Sequence, residues 1–176
     1  MVGADGEHHL FAGQLLAYAA MDEGIEVTWF PSYGPEMRGG TANCTIILSD
    51  EEIGAAVVRN PEVALVMNQP SLDKYEPLVK VGGVLVVDSS LVERQVERTD
   101  IKVVYVPATR LAEELGTRRM ANMIILGAML ANYDLIPVES LKKSLDEHLP
   151  ERHRKLLPAN FQALEAGASY QAEVVA

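Results

Sequence analysis

The sequence predicts a three-layer α/β/α fold, built as one domain around a mostly parallel, Rossmann-like sheet. A helical apolar pattern near the N-terminus gives way to short β-branched runs and then to helices again, an order typical of layered α/β proteins. The runs at 62–67, 84–87 and 101–106 are apolar without strict alternation, as in interior strands that helices cover on both faces. We expect a single domain over residues 1–176, with a helical C-terminal part over about 109–176.

The N-terminal part predicts one helix and two strands. Residues 11–23 place apolar side chains at helical spacing, and Gly24 stands where a helix C-terminus favours a left-handed residue. A strand is predicted over 25–30, ended by Pro31, and a second over 45–48. The two strands are joined by a long loop.

The C-terminal part predicts mainly helices. Pro70 suits the first position of a helix that runs to about Leu78. Residues 118–133 include eleven apolar side chains in sixteen, so this helix is expected either to be buried or to pack against a partner subunit, a second copy of the chain included. An amphipathic helix follows from Val138, and a last helix spans about 158–170, weakened by a glycine in its interior.

Composition excludes several classes of function. The formal charge of −10 repels phosphate backbones and anionic membranes, so we expect neither nucleic acid nor a membrane as a partner. The longest apolar run, 123–131, is too short to span a bilayer. One cysteine cannot form an internal disulfide or hold a four-thiolate iron–sulfur cluster. A cytoplasmic protein is expected.

The loop over residues 32–43 is the most informative segment, because a twelve-residue loop in a compact domain usually has a functional reason. Three glycines, at 34, 39 and 40, allow backbone N–H groups to approach an anion. Arg38 beside them can bind a carboxylate or phosphate with two hydrogen bonds. The alternative is that Arg38 pairs with Glu36 and the glycines serve tight turns. The residues alone leave both interpretations open.

A second candidate site lies where a predicted strand meets a predicted helix. Asn68, Gln69 and Ser71 place two amides and a hydroxyl there, and the carboxyl ends of parallel strands are where open α/β sheets bind ligands. The segments 88–90 and 107–109 end neighbouring strands in the same way. Helix capping is the simpler explanation for Gln69 and Ser71.

Metal and nucleophile chemistry are not expected on this chain. His8 and His9 are adjacent, so their rings point apart in regular structure. His148 and His153 lie in a charged segment typical of a solvated face. Cys44 opens an apolar strand and is expected to be a small buried side chain. No serine, histidine and acid set is evident, so no catalytic residue is assigned.

Three segments carry a family resemblance that spans nearly the whole chain. They are AGQLL at 12–16, TWFPSYGPEMRGGTANC at 28–44 and MNQPSLDKY at 67–75. On these segments the chain resembles the gamma subunit of the 2-oxoacid:ferredoxin oxidoreductases, which act on pyruvate, 2-oxoglutarate or branched-chain 2-oxoacids. The resemblance implies a loop on the substrate or coenzyme A side, or at a subunit interface, formed by Tyr33, Gly34, Pro35, Glu36, Arg38, Gly39, Gly40, Thr41 and Asn43.

The resemblance also implies the cofactors and partners of the assembled enzyme. Thiamine diphosphate and Mg²⁺ would lie between alpha and beta subunits, and [4Fe-4S] clusters would lie on the beta subunit or on a small ferredoxin-like delta subunit. Coenzyme A would be the co-substrate, and ferredoxin would accept the electrons. This chain would then be a scaffold that binds none of these cofactors alone and is inactive alone.

The N-terminal turn departs from the family pattern. Relatives have a short leading strand and then Gly-x-Gly-Gly-Gln-Gly, whereas this chain starts almost at the turn and reads GADGEH at 3–8. We assign Gly3, Gly6 and Gly13 to a degenerate glycine turn. Because carboxylates at a helix N-terminus repel phosphate, we expect no nucleotide phosphate to bind there.

Two hypotheses about function follow. The first is a non-catalytic gamma subunit of a 2-oxoacid:ferredoxin oxidoreductase, which supports oxidative decarboxylation of a 2-oxoacid to acyl-CoA. The second is a stand-alone, Rossmann-like protein that binds a nucleotide or coenzyme A. We expect the other subunits to determine which 2-oxoacid is the substrate.

Overall fold

The computed structural model describes residues 2–3, 6–32, 42–54 and 57–175. The helices are α1 Gly6–Asp22, α2 Gln69–Tyr75, α3 Ala108–Glu114, α4 Ala121–Asn132, α5 Val138–His148 and α6 Leu157–Ser169. The strands are β1 Val2–Gly3, β2 Glu26–Ser32, β3 Ala42–Ser49, β4 Val63–Val66, β5 Val84–Asp88, β6 Lys102–Val106 and β7 Glu173–Val175.

All of these strands join one sheet in the order β2-β3-β1-β4-β5-β6-β7. The strands β1, β4, β5 and β6 run parallel to one another. At one side β3 pairs antiparallel with β1, and β2 pairs antiparallel with β3. At the other side β7 pairs antiparallel with β6. A parallel centre with antiparallel margins confirms the mostly parallel α/β sheet.

Helices cover the two faces of the sheet unequally. One face packs with α1, α3, α4, α5 and α6 into the larger apolar core. The other face packs with α2 and with the segment before β6, through Leu72, Val79, Val92 and Ile101. The three layers expected from the sequence are therefore present, with most of the helical mass on one side.

The apolar segment 118–133 lies inside the chain's own core. Its helical part is α4, in which ten residues, Ala121 to Leu130, are buried. A short 3-10 turn over 118–120 precedes it. Burial of α4 against the sheet and α6 accounts for its lack of a polar face. Of the two alternatives, a buried helix or a helix packed against a partner subunit, the structure supports the buried helix.

Close contact between α4 and α6 depends on two glycines. A Cβ built on Gly127 would lie 2.2 Å from the Leu164 carbonyl oxygen, and one built on Gly167 would lie 1.9 Å from the Ile124 carbonyl oxygen. The two backbones therefore approach within a distance that any side chain at these positions would prevent. Gly167, which weakens the helix in isolation, is where the helices meet.

Several sequence-based boundaries are correct and others need correction. Gly24 has φ of +81°, as predicted for the end of α1. Pro31 does not end the strand: β2 continues through it to Ser32, with Pro31 opposite Cys44, because β2 is an edge strand where a missing N–H is tolerated. The strand predicted over 45–48 extends over 42–49 as β3, and β7 was missed because it is only three residues long.

At the N-terminus the structure answers one question that the sequence left open and corrects one assignment. A leading strand is present as β1, whose residues Val2 and Gly3 pair with β3 and β4. Gly13 lies well inside α1, so it is not part of a turn with Gly3 and Gly6. A Cβ on Gly13 would lie 2.3 Å from the Cys44 Sγ, so this glycine lets α1 pack closely on β3. None of the helices in the described part of the chain has the length and hydrophobicity of a membrane-spanning segment.

Candidate functional site

The topology brings three sequence-predicted segments to one edge of the sheet. In β1, Gly3 lies opposite Ala42 and Val2 lies opposite Asn43 of β3. On its other side Val2 lies opposite Val66, two residues before Asn68. Gly3, the paired ends of β2 and β3, and Val66 just before Asn68 thus lie on adjacent strands, about 4.8 Å apart. This edge is also the carboxyl edge of the parallel strands, where α/β sheets bind ligands.

Most of the predicted loop lies outside the described residues. This applies to Tyr33, Gly34, Pro35, Glu36, Arg38, Gly39, Gly40 and Thr41. The residues that frame them are described: Ser32 ends β2 opposite Asn43, which is half-buried on β3. The loop therefore starts and ends on a paired two-strand ladder, and its role remains a prediction.

The strand-end residues Asn68 and Ser71 form a helix cap. The Asn68 Oδ1 accepts hydrogen bonds from the Ser71 N–H at 2.9 Å and from the Ser71 hydroxyl at 2.6 Å. Gln69 donates to Asp73 at 2.8 Å. Capping satisfies the first N–H groups of α2, so these side chains have a structural role, while ligand binding by them remains a prediction.

A buried carboxylate ties together the ends of β5 and β6. Asp88 is fully buried and accepts hydrogen bonds from the Ser90 N–H at 3.0 Å, the Thr109 N–H at 3.2 Å and the Thr109 hydroxyl at 2.6 Å. A buried charge is tolerated only with such partners. The polar segments 88–90 and 107–109, both singled out in the sequence, therefore meet through Asp88.

A second network links the C-terminal end of α2 to the segment before β6, and no local sequence pattern predicts it. Glu76 is 5% exposed. Its carboxylate accepts a hydrogen bond from Arg94 Nη2 at 2.6 Å. It also accepts hydrogen bonds from the backbone N–H groups of Glu97 at 2.6 Å and Arg98 at 3.1 Å. The bond with Glu76 raises the pKa of the Arg94 guanidinium. The partners are about twenty residues apart, which is why no local pattern signals the pairing.

One group of described residues has metal-ligand chemistry. Asp22, Glu147 and His148 hold their ligand atoms within 4.8 Å of one another, and all three are exposed. The His148 ring stacks on Tyr18 with centroids 4.4 Å apart. Its Nε2 lies 3.5 Å from the Asp22 carboxylate. The contact between His148 and Asp22 and the stacking on Tyr18 account for this arrangement. Cys44, expected to be buried, is 5% exposed.

The opposite edge of the sheet carries a small polar cluster. The Lys80 Nζ lies 2.6 Å from the Glu62 carboxylate, and the Tyr133 hydroxyl donates to it at 3.2 Å. The bond from Lys80 lowers the pKa of Glu62, and burial raises the pKa of the Tyr133 hydroxyl. Both Glu62 and Lys80 are more than half exposed. This pair joins the starts of β4 and β5, away from the loop edge.

Together these features define a class: a Rossmann-like α/β domain in which Gly3, the paired ends of β2 and β3 and a capped strand end lie at the carboxyl edge of the sheet. The chain belongs to the pyruvate ferredoxin/flavodoxin oxidoreductase family, whose model matches residues 1–170. This confirms the resemblance seen in the sequence.

Individual relatives agree with the family assignment. Ketoisovalerate oxidoreductase subunit VorA of Methanothermobacter marburgensis is 35% identical over 171 residues, which cover 97% of this chain and 35% of VorA. The crystal structure of the keto/oxoacid ferredoxin oxidoreductase gamma subunit from Geobacter sulfurreducens matches with a TM-score of 0.81 and 30% identity, over 95% of this chain and 93% of that one.

A larger enzyme contains the same fold. The 2-oxoglutarate:ferredoxin oxidoreductase from Magnetococcus marinus, solved with 2-oxoglutarate, coenzyme A and succinyl-CoA, matches with a TM-score of 0.82 and 23% identity. The match covers 94% of this chain and 29% of that one. The chain thus spans about a third of the length of VorA and of this enzyme.

Proposed function

We propose that this chain is the gamma subunit of a multi-subunit 2-oxoacid:ferredoxin oxidoreductase. The assembled enzyme would decarboxylate a 2-oxoacid oxidatively, transfer the acyl group to coenzyme A and pass the electrons to ferredoxin. The observation that carries the proposal is the family match along residues 1–170. We also propose that the complex works in the cytoplasm.

The chain's own residues bear on where the cofactors lie. A single cysteine does not fit a cluster that needs four thiolates. At the carboxyl edge, the fully buried carboxylate of Asp88 is already engaged by Ser90 and Thr109. We therefore assign thiamine diphosphate, Mg²⁺ and the iron–sulfur clusters to alpha, beta and delta partners.

The 33–41 segment is the part of this chain that we assign to the coenzyme A side or to a subunit interface. Its two ends, Ser32 and Ala42, lie at the carboxyl edge of the sheet. Arg38 supplies a guanidinium suited to a phosphate or carboxylate. The neighbouring glycines allow backbone N–H groups to approach the same anion.

Coexpression with candidate alpha and beta chains from the same gene neighbourhood tests the proposal. The tagged chain is expected to copurify with them stoichiometrically, and the complex to reduce ferredoxin only with a 2-oxoacid, coenzyme A and thiamine diphosphate. The chain alone is expected to be inactive. Turnover of 2-oxoacids by the chain alone, without thiamine diphosphate, would contradict the proposal.

The same complex tests Arg38. Arg38→Ala is expected to lower turnover, or to raise the coenzyme A concentration needed, by about tenfold. The melting temperature of the lone subunit should stay within a few degrees. Arg119→Ala, at an exposed arginine in the described part of the chain, is the matched control and should change neither. A large loss of subunit stability with normal kinetics would instead assign Arg38 to an ion pair with Glu36.

The alternative function is a stand-alone protein that binds a nucleotide or coenzyme A. The glycine-rich start of the sequence and the polar strand ends of the Rossmann-like sheet favour it. It would be supported by micromolar binding of coenzyme A or a dinucleotide to the lone chain in calorimetry, combined with failure to copurify with any partner.

A further inference from the structure

Gly13 on α1 lies against both strands of the β2–β3 ladder. A Cβ built on Gly13 would lie 2.3 Å from the Cys44 Sγ on β3 and 3.5 Å from the Trp29 Nε1 on β2. Successive side chains of a strand point to opposite faces, so Cys44 and Trp29 both belong to the face of the ladder that α1 covers. We call this meeting of Gly13, Trp29 and Cys44 the Gly13 contact.

The Gly13 contact is close to the end of the ladder that carries the 33–41 segment. Cys44 is two residues after Ala42, where β3 begins, and Trp29 is three residues before Ser32, where β2 ends. At about 3.4 Å per residue, the contact lies about 7–10 Å from the paired ends. Every residue of β2 is paired with β3. The ladder ends are therefore placed by where the ladder meets α1.

A single atom fills the Gly13 contact to its limit. The Cβ built on Gly13 would lie 3.6 Å from the Cys44 Cβ and 3.5 Å from the Trp29 Nε1, which are ordinary distances between packed atoms. The sulfur at 2.3 Å is what excludes a methyl group there. Cys44 is 5% exposed, so a rotated thiol would press on other packed groups. A methyl group at position 13 would therefore disturb the ladder or move it from α1 by about 1 Å.

We propose that Gly13 and Cys44 are positioning residues for coenzyme A binding by the assembled enzyme. Their contact fixes the paired ends of β2 and β3 against α1, and with them the 33–41 segment that we assign to the coenzyme A side. Neither residue touches the ligand in this proposal, since both act through the ladder. A misplacement of about 1 Å is enough to lower a rate by about a hundredfold. This inference rests on the proposed function.

The test moves one heavy atom across the Gly13 contact. Gly13→Ala adds a methyl group where the sulfur lies, so the contact is overfilled. Cys44→Ala removes the sulfur and leaves the contact underfilled. The double variant Gly13→Ala/Cys44→Ala fills it again from the other side, because the two Cβ atoms would lie 3.6 Å apart.

The first readout is the kinetics of the complex with alpha and beta chains. Gly13→Ala is expected to raise the coenzyme A concentration for half-maximal rate by about tenfold, and Cys44→Ala by about threefold. The double variant should return it to within about twofold of the wild type. The 2-oxoacid concentration for half-maximal rate should stay the same in all three, because we assign the thiamine diphosphate site to other chains.

Gly127→Ala is the matched control. Its Cβ would lie 2.2 Å from the Leu164 carbonyl oxygen, in the contact of α4 with α6. It should lower the melting temperature of the lone chain, as Gly13→Ala does, without changing the coenzyme A concentration that the complex needs. A merely structural role of Gly13 would make the two variants behave alike.

The second readout uses the lone chain and does not depend on activity. Trp29 is the one tryptophan of the sequence, and its indole N–H is buried with no hydrogen-bond partner in the described part of the chain. Its fluorescence therefore reports the packing at the Gly13 contact. Gly13→Ala is expected to shift the emission, the double variant to restore it and Gly127→Ala to leave it unchanged. If Gly13→Ala does not fold, Cys44→Ala and the double variant still provide the comparison.

Two results would overturn the inference and leave the proposed function in place. One is a coenzyme A requirement that stays at the wild-type value in both Gly13→Ala and Cys44→Ala, or in Cys44→Ala where the other does not fold. The second is a raised requirement that the double variant fails to restore although the Trp29 emission returns to that of the wild type. A wild-type complex that turns over without coenzyme A would reject the proposed function, and this inference with it.

Discussion

Asp88 is a single side chain on which the carboxyl ends of β5 and β6 depend. It is fully buried and accepts three hydrogen bonds from Ser90 and Thr109. Asp88→Ala would leave the N–H and hydroxyl of Thr109, which is 4% exposed, buried without an acceptor. We therefore expect the free energy of unfolding to fall by about 3 kcal/mol. Urea unfolding of the purified wild type and variant measures this difference in free energy.

The Asp88 experiment has a matched control and a clear contrary result. Asp134 is exposed, so Asp134→Ala should change the free energy of unfolding by less than about 0.5 kcal/mol. Asp88→Asn retains one acceptor oxygen, so its free energy of unfolding should lie between those of Asp88→Ala and Asp134→Ala. Equal stability of Asp88→Ala and the wild type would show that the buried donors find other partners.

At the scale of elements, the contact of α4 with α6 allows a second prediction. Gly167→Ala would bring a Cβ to 1.9 Å from the backbone oxygen of Ile124, which cannot move aside as a flexible side chain could. Alanine favours a helix by about 1 kcal/mol over glycine, so a simple helix would be stabilised. We expect instead a loss of about 2 kcal/mol in the free energy of unfolding, because the helices must separate.

Two further substitutions complete the α4–α6 experiment, read by thermal and urea unfolding. Gly127→Ala, at 2.2 Å from the Leu164 oxygen, should cause a similar loss. Gly54→Ala, where a Cβ meets nothing within 4 Å, should stay within about 0.5 kcal/mol of the wild type. An increase in the free energy of unfolding for Gly167→Ala would contradict the close approach of α4 and α6.

The elements that the sequence predicts well are those with a local signal. Helix 11–23 and the interior strands carry apolar patterns that tertiary contacts reinforce, and Gly24 has the conformation expected of it. The strand β7 and the passage of β2 through Pro31 depend on which strands are at the edge, which is a property of the whole sheet. The role of Gly167 likewise depends on a contact with a helix forty residues away, and no local pattern contains it.

The candidate site was predicted in part. Its segments were found because loop length, glycines and strand-end amides are local features. That Gly3, the ends of β2 and β3 and residues 68–71 lie at one edge follows from the strand order β3-β1-β4, which the sequence did not specify. The Glu76–Arg94 network was missed because its groups pair over a long separation.

At the scale of the whole molecule, the Glu62–Lys80 pair makes global stability depend on pH. The pKa of Glu62 is lowered and that of Lys80 is raised by their mutual hydrogen bond. The pair therefore stabilises the fold fully between the ordinary pKa values of the two groups. Its contribution is lost as the pH falls through the lowered pKa of Glu62, or rises through the raised pKa of Lys80.

Unfolding across the pH range checks this. Glu62→Gln should be slightly less stable than the wild type at neutral pH, since both groups are largely exposed. The difference should vanish in acid, below the lowered pKa of Glu62. Glu93→Gln, at an exposed carboxylate, removes the same charge and should show no such convergence. A difference that persists in acid would mean that the pair is not its source.

The margins of the sheet also govern how copies of the molecule behave when crowded together. At one margin β2 presents Pro31, which offers no N–H to an approaching chain, and at the other β7 is only three residues long. Neither margin is a good template for pairing with another molecule. We therefore expect copies of the chain to show little tendency to polymerise strand by strand at high concentration, so that any association would involve loops and side-chain surfaces.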